Sequence, residues 1–405
     1  MEAIKERKSP FYPDQPVPYN LFVGRSSEID KITQRGMGQV SAGKSVAFFL
    51  RGEYGIGKSS LANYLGFTAF TNANLFPIYV TLSGCRTLED VAEAILQGTL
   101  LSGAYDKNLL ENIKEMLGKY IGSQSFFGGN LTLHFEQLLL DAPEIKTHHG
   151  ILMFLKELYT RVSKNGCRGI FLIFDELNGI AKVPEFAHFL KGLWDGNSMQ
   201  AKVPLLFIMC GVDERRTEII ANHEPVNRIF DVVDIKRLSE DESRAFYEKA
   251  FDSARMMYEE DALKRMVSWA TGYPKIMHII GDTIYWNHDD FDSPITAKEA
   301  YDGVMASAEM IGRKYFEPNV LSALQSTDYK ILLKKTTELL QLNTRLVFSK
   351  AVLANSLSET QKGKLSNFLS RMTALKAFVH CGRGEYTIPN SMIWMYLVIK
   401  YELRK

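Results

Sequence analysis

Gly52-Glu53-Tyr54-Gly55-Ile56-Gly57-Lys58-Ser59 is the stretch that decides how this chain is read. It satisfies G-x-x-x-x-G-K-[ST], the spacing of a phosphate-binding loop. An apolar β-like run, Ser45-Val46-Ala47-Phe48-Phe49-Leu50, leads into it, and a helix-like run, Ser60-Leu61-Ala62-Asn63-Tyr64-Leu65, follows it. The order strand, glycine loop, helix serves a chemical purpose. Glycines let backbone N–H groups curl around phosphate oxygens, and the helix N-terminus adds partial positive charge. Lys58 is then placed to reach the β- and γ-phosphates, and the Ser59 hydroxyl to ligate Mg²⁺. Gly52 through Ser60 is therefore the expected nucleotide-binding surface.

Downstream, Gly169-Ile170-Phe171-Leu172-Ile173-Phe174-Asp175-Glu176 is an apolar run that ends in two carboxylates. A run without alternation reads as a parallel strand buried on both faces. Acidic residues at its carboxyl end lie where open α/β sheets bind ligands. Asp175 is expected to hold Mg²⁺, directly or through water. Glu176 is expected to polarise the water that attacks a γ-phosphate. Taken alone the pair would also fit a strand that ends in a polar turn; the upstream loop favours the chemical reading.

At 405 residues, 46% hydrophobic and 23% charged, the chain has room for two or three domains. No apolar run approaches the roughly 18 residues of a membrane span. The first residues, Met1-Glu2-Ala3-Ile4-Lys5-Glu6-Arg7-Lys8, lack the apolar core of a signal peptide. Cys85, Cys167, Cys210 and Cys381 show no CxxC spacing, which argues against zinc and disulfides and fits a reducing cytoplasm. Net charge is +1, but Pro318–Lys405 holds 9 Lys and 4 Arg against 1 Asp and 4 Glu, a net of +8. The first 317 residues therefore carry −7. A basic C-terminal segment on an acidic body points to an anionic partner.

The expected fold class is α/β: a parallel-sheet P-loop core, a helical lid and a C-terminal winged helix. Residues 1–20, with Pro10, Pro13, Pro16 and Pro18, read as an extended arm. Residues 21–236 alternate strands and helices, with strands at Phe76–Leu82, Pro204–Cys210 and Asp231–Ile235 and a hairpin near 125–135. Residues 237–317 are helical, with capping boxes at Ser239-x-x-Glu242 and Thr296-x-x-Glu299. Pro318 marks a boundary. Residues 318–405 read as helices near 319–326, 328–340 and 346–355, a helix from Ser358-x-x-Gln361 to Lys376, a short hairpin turning at Cys381–Gly384, and a last helix over 391–402.

This combination resembles AAA+-type P-loop ATPases of the STAND and archaeal origin-recognition group. Phe22-Val23-Gly24-Arg25 looks like the family's FxGR box beside the adenine. Gly52–Ser59 and Asp175-Glu176 look like its Walker A and B motifs. Leu205–Cys210 looks like the sensor 1 strand, Asn227-Arg228-Ile229-Phe230 like the box whose arginine reaches a neighbouring subunit's ATP, and Gly272-Tyr273-Pro274 like the GxP of the lid. The resemblance covers about 25–405 and implies ATP, Mg²⁺ and a homo-oligomer. Two departures stand out. Cys210-Gly211 replaces the usual Asn, Thr or Ser of sensor 1, and a thiol is a weak donor. The lid has Lys275 and no clear sensor 2 arginine. Both imply slow hydrolysis. Arg228 also fits an ordinary surface arginine, Pro274 a plain helix start, and Phe22–Arg25 a plain turn.

Two functions follow. One is an ATP-dependent switch that engages double-stranded DNA. Lys364, Asn367 and Arg371 share one face of the candidate reading helix, opposite Leu365, Phe368, Leu369, Met372 and Leu375, and Arg383 sits at the wing tip. The other is a signalling or defence ATPase with protein partners. A small-molecule kinase fits less well, because an Asp-Glu pair suits water activation.

Overall fold

A computed structural model describes residues 7–103, 147–341 and 346–403. The hairpin expected near 125–135 lies outside them. The chain divides into two compact units, Pro16–Lys236 and Arg237–Lys405, with residues 7–15 belonging to the latter. No helix among the described residues is long and apolar enough to cross a membrane.

In the first unit α1 (Ser26–Ile32) and α2 (Gly38–Ser41) precede β1 (Val46–Arg51), α3 (Lys58–Ala73), β2 (Leu75–Thr81) and α4 (Leu88–Gly103). Then come α5 (His148–Val162), β3 (Gly169–Asp175), α6 (Pro184–Gly196), β4 (Leu205–Gly211), α7 (Asp213–Asn222) and β5 (Asp231–Asp234). The strands form one parallel sheet in the order β2-β3-β4-β1-β5. Every residue of β3 and β4 is buried, so both faces of the sheet are covered by helices, as continuous apolar strands require. Phe174 packs edge-on to Phe207 at 5.0 Å between centroids. Because β4 lies between β1 and β3, the loop after β1 and the carboxylates after β3 are two strand spacings apart, about 10 Å.

The second unit holds α8 (Glu240–Ala254), α9 (Glu260–Ala270), α10 (Pro274–Asn287), α11 (Ala297–Ile311) and α12 (Thr327–Gln341). It ends with β6 (Val347–Ser349), α13 (Lys350–Asn355), α14 (Glu359–Ala374), β7 (Val379–Gly382), β8 (Glu385–Thr387) and α15 (Ser391–Val398). Both capping boxes read in the sequence form, as does the one that opens α14, where Ser358 and Gln361 exchange bonds. One local expectation needs correction. The helix placed at 346–355 begins as a strand: Phe348 pairs with Tyr386 in an antiparallel sheet ordered β6-β8-β7. A short apolar run is ambiguous by itself, and its partner strand decides. At Pro318 itself the backbone is a wide helical segment, Gly312–Leu321, and the Ser322 N–H donates to Glu317 O at 2.9 Å, five residues back.

The arm is anchored. Phe11, only 4% exposed, meets Phe246, Tyr247 and Phe251. Gly281 makes room for it, since a Cβ there would lie 2.3 Å from the ring. The Tyr12 N–H donates to His278 Nδ1 at 3.1 Å, and Asp14 pairs with Lys314 at 3.4 Å and with Lys275 at 3.9 Å. Burial pushes His278 down to about 4. The unfolded chain binds this proton below about pH 6.5, whereas the folded unit refuses it until about pH 4. Stability from this group is thus complete above pH 6.5 and lost as pH falls to 4, by about 3 kcal/mol. Urea unfolding of wild type and His278→Gln across pH 7 to 4 should show that much extra loss in wild type.

Candidate nucleotide site

The sequence dictates where the loop must turn. β1 ends at Arg51, whose Nε and Nη2 donate to Asp234 Oδ1 and Oδ2 at 2.6 and 3.1 Å, and whose Nη1 donates to Asp213 Oδ1 at 3.0 Å. The guanidinium holds the Asp234 carboxyl below its ordinary range. These side chains are largely exposed, so the network fixes the strand end more than it stabilises the fold. Gly52 then passes so close to β5's exit that a Cβ would sit 2.9 Å from Ile235 O. Gly55 (φ 77°) and Gly57 (φ 97°) are left-handed, a conformation that costs glycine little. Arg25, itself left-handed and buried, donates from Nη2 to Ile56 O at 2.9 Å and from Nη1 to Lys236 O. It clasps the outside of the loop. Lys58 Nζ donates to Gly52 O at 3.0 Å and to Glu53 O at 2.8 Å. Burial pulls its pKa below the usual lysine value, opposed by the nearby carboxylates of Asp175 and Glu176. An anionic oxygen is a stronger acceptor for that ammonium than two neutral carbonyls.

Across β4 stands the acidic pair. Asp175 is buried; its Oδ2 accepts from the Tyr79 hydroxyl at 2.5 Å and its Oδ1 from the Glu176 N–H at 2.9 Å. Burial first, and Asp175 next, hold the Tyr79 phenol well above its ordinary range. One tyrosine of β2 thus orients the Asp175 carboxylate assigned to Mg²⁺. No cluster of three or more His, Cys, Asp or Glu forms among the described residues. Two oxygen donors with room for phosphate and water oxygens suit Mg²⁺, which keeps several waters. Glu176 is left-handed (φ 61°) and exposed, and its Oε2 accepts from Asn178 Nδ2 at 2.9 Å. Cys210, next to last in β4 and level with Leu50, is fully buried; burial, with Asp175 next, pushes its thiol well up, so it stays neutral.

The remaining predicted residues fall in several places. Phe22 stacks on Tyr64 of α3 at 4.7 Å, and Val23 and Gly24 lead from it to Arg25. Ser60 Oγ accepts from the Val17 N–H at 3.2 Å. The Arg228 side chain is 79% exposed and 4.0 Å from Glu224. Its turn precedes β5, whose Asp231 pairs with Phe48, so Arg228 lies toward the end of β1 away from Gly52. Pro274 opens α10 in the other unit, after a left-handed Gly272 whose carbonyl accepts from the Leu238 N–H at 2.8 Å. Lys364, Asn367 and Arg371 are exposed on α14, while Leu365, Phe368, Leu369 and Met372 are buried and Leu375 half-buried. Lys364 pairs with Asp328, and Arg383 is exposed in the β7–β8 turn. Sequence reasoning missed Tyr79, Arg51 and Asn178. Tyr79 and Arg51 had a signal, each being a polar group near the end of an apolar strand; Asn178 had none.

Solved structures share this architecture. The Walker-type ATPase of Pyrococcus abyssi superposes with a TM-score of 0.54 at 18% identity, over 97% of this chain and 99% of that one. The ORC2 protein of Aeropyrum pernix, in its ADPNP–ADP complexes, gives 0.55 at 12% identity over 94% and 95%. Its ADP form gives 0.50 at 10% identity over the same shares. This is the fold of a P-loop ATPase. No family model and no curated protein matches the sequence.

The Arg25 clasp has a measurable consequence. Arg25→Ala leaves the carbonyls of Ile56 and Lys236 without this donor, which should cost about 2 kcal/mol of stability. Nucleotide affinity should fall with it, about tenfold, because the loop loses its outer support. Denaturant unfolding and nucleotide titration on the same variant check both.

Proposed function

We propose that this protein binds ATP with Mg²⁺ at Gly52–Ser60 and hydrolyses it slowly, as a switch whose nucleotide state controls assembly. The observation that carries the reading is that Lys58, just after β1, and the buried Asp175, bonded to the Tyr79 hydroxyl, stand at the carboxyl ends of strands two spacings apart in one parallel sheet. Lys58 would neutralise the β- and γ-phosphates, and the loop N–H groups would cradle them. Ser59 and Asp175 would hold Mg²⁺, which supplies charge neutralisation between the phosphates when bound. Glu176 would accept the proton of the attacking water. Cys210, a neutral thiol where a stronger donor would speed the reaction, favours slow turnover. Arg228, exposed and remote from its own loop, suits a role at a neighbouring copy's site. The FxGR box and Pro274 are assigned, by resemblance, to the adenine and to a lid that reports the nucleotide.

Lys58→Ala should lose nucleotide binding. Glu176→Gln should bind ATP as wild type does and hydrolyse it about 10²-fold more slowly or worse. Equilibrium titration and phosphate release measure the two. Normal turnover by Glu176→Gln would remove Glu176 as the base.

We read the C-terminal segment as a winged helix that engages duplex DNA, with α14 reading and the β7–β8 turn as the wing. Its +8 charge and the exposed row Lys364, Asn367, Arg371 favour this over a purely protein-binding module. Three basic phosphate contacts give a log–log salt slope of about −2.7. Changing Lys364, Arg371 and Arg383 together to Glu should abolish DNA binding and spare ATP binding. A wild-type chain that binds no DNA at low salt, with or without ATP, would favour the signalling reading with protein partners.

A further inference from the structure

Asn178 has a defined orientation. Its Oδ1 accepts from the Tyr54 hydroxyl at 2.6 Å and from Arg215 Nε at 3.2 Å, while its Nδ2 donates to Glu176 Oε2 at 2.9 Å. Turning the amide over would set an N–H₂ against two donors and an oxygen against a carboxylate, so the assignment follows from chemistry. Arg215 is itself held, because its Nη1 donates to both oxygens of Glu218 at 2.7 and 2.9 Å. Tyr54 is the third residue of the phosphate loop and is otherwise exposed. A continuous chain of hydrogen bonds therefore runs from the loop, through Tyr54 and Asn178, to the carboxylate of Glu176.

The geometry points to Asn178 as the positioning residue of Glu176, with Tyr54 and Arg215 setting the direction of its amide. The inference rests on the ATPase reading above. Glu176 needs such a hold. It sits one residue beyond β3, in a left-handed conformation and exposed, so neither strand nor packing fixes its rotamer. Lys58 faces it electrostatically, and Asp175 precedes it; the amide of Asn178 is a directional contact among them. Because Tyr54 belongs to the loop, a phosphate that moves the loop also moves the far end of the chain that aims the base. Arg215 keeps the amide in register while Tyr54 shifts.

Asn178→Ala, Asn178→Asp and Tyr54→Phe test this on the full chain, by steady-state ATP hydrolysis, nucleotide titration and thermal unfolding. Both Asn178 variants should lower kcat about 10- to 100-fold, the penalty of a misplaced group, with KM and ATP affinity within about twofold. Asn178→Asp keeps the shape and loses the N–H donor, so it should fail as Asn178→Ala does. Tyr54→Phe should lose less, about two- to fivefold in kcat. In a Glu176→Gln background, measured at single turnover, Asn178→Ala should slow the reaction no further, because its effect passes through the missing carboxylate. Wild-type kcat in both Asn178 variants, or an equal further loss in the Glu176→Gln background, would overturn the inference. Lys58→Ala separates the two readings. If it abolishes nucleotide binding while the Asn178 variants turn over normally, the positioning role alone falls. If it binds nucleotide like wild type, the ATPase reading falls and the positioning role with it.

Discussion

Two strands without a polar side chain in their interiors, Ile170–Phe174 and Leu205–Met209, constrain everything else in the first unit. Such strands persist only where both faces are covered, and covering both faces requires helices between successive parallel strands. With the faces closed, polar groups have one place left near the sheet centre, beyond the strand ends. Asp175 and Cys210 close the strands at that level, and Lys58 and Glu176 stand just past it. The site is thus a by-product of how the core is buried, and its residues are neighbours because three adjacent strands stop at the same level.

The site is held from outside as much as from within. Arg25 clasps the loop at Ile56, Arg51 pins the strand beneath it, and Tyr79 holds Asp175. Burying Asp175 would be costly for an isolated carboxylate. Two hydrogen bonds offset that cost, and one of the donors is a phenol kept protonated by the same burial. The polar groups therefore depend on each other, and loss of one leaves another unsatisfied.

Much of this was legible in the residues. Gly52–Ser59 fixed a loop between a strand and a helix because glycine spacing and Lys-Ser are demanding together, and β1 and α3 stand where that reading puts them. The capping boxes at Ser239, Thr296 and Ser358 placed three helix starts, since each is a local reciprocal bond. What escaped depends on partners far along the chain. Val347–Ser349 is a strand only because Glu385–Thr387 lies beside it, and Pro318 is carried by a wide turn that no propensity signals. Tyr79 reaches Asp175, and Asn178 reaches Tyr54 and Arg215, by tertiary contacts that spacing alone cannot signal.

Phe11 bears on the order in which the chain acquires its structure. Its cage is built by Phe246, Tyr247, Phe251 and Gly281, so the ribosome releases the anchor long before it releases the socket. At about 5–20 residues per second, the intervening Pro16–Lys236 takes on the order of 10–40 s to synthesise. During that interval an apolar side chain near the start of the chain has no native partner. Pro10, Pro13, Pro16 and Pro18 around it suit that wait, because a proline-studded segment resists collapse into a competing helix or sheet edge. The arm's composition, read first as mere extension, thus also fits a segment that must stay unpaired until the second unit emerges.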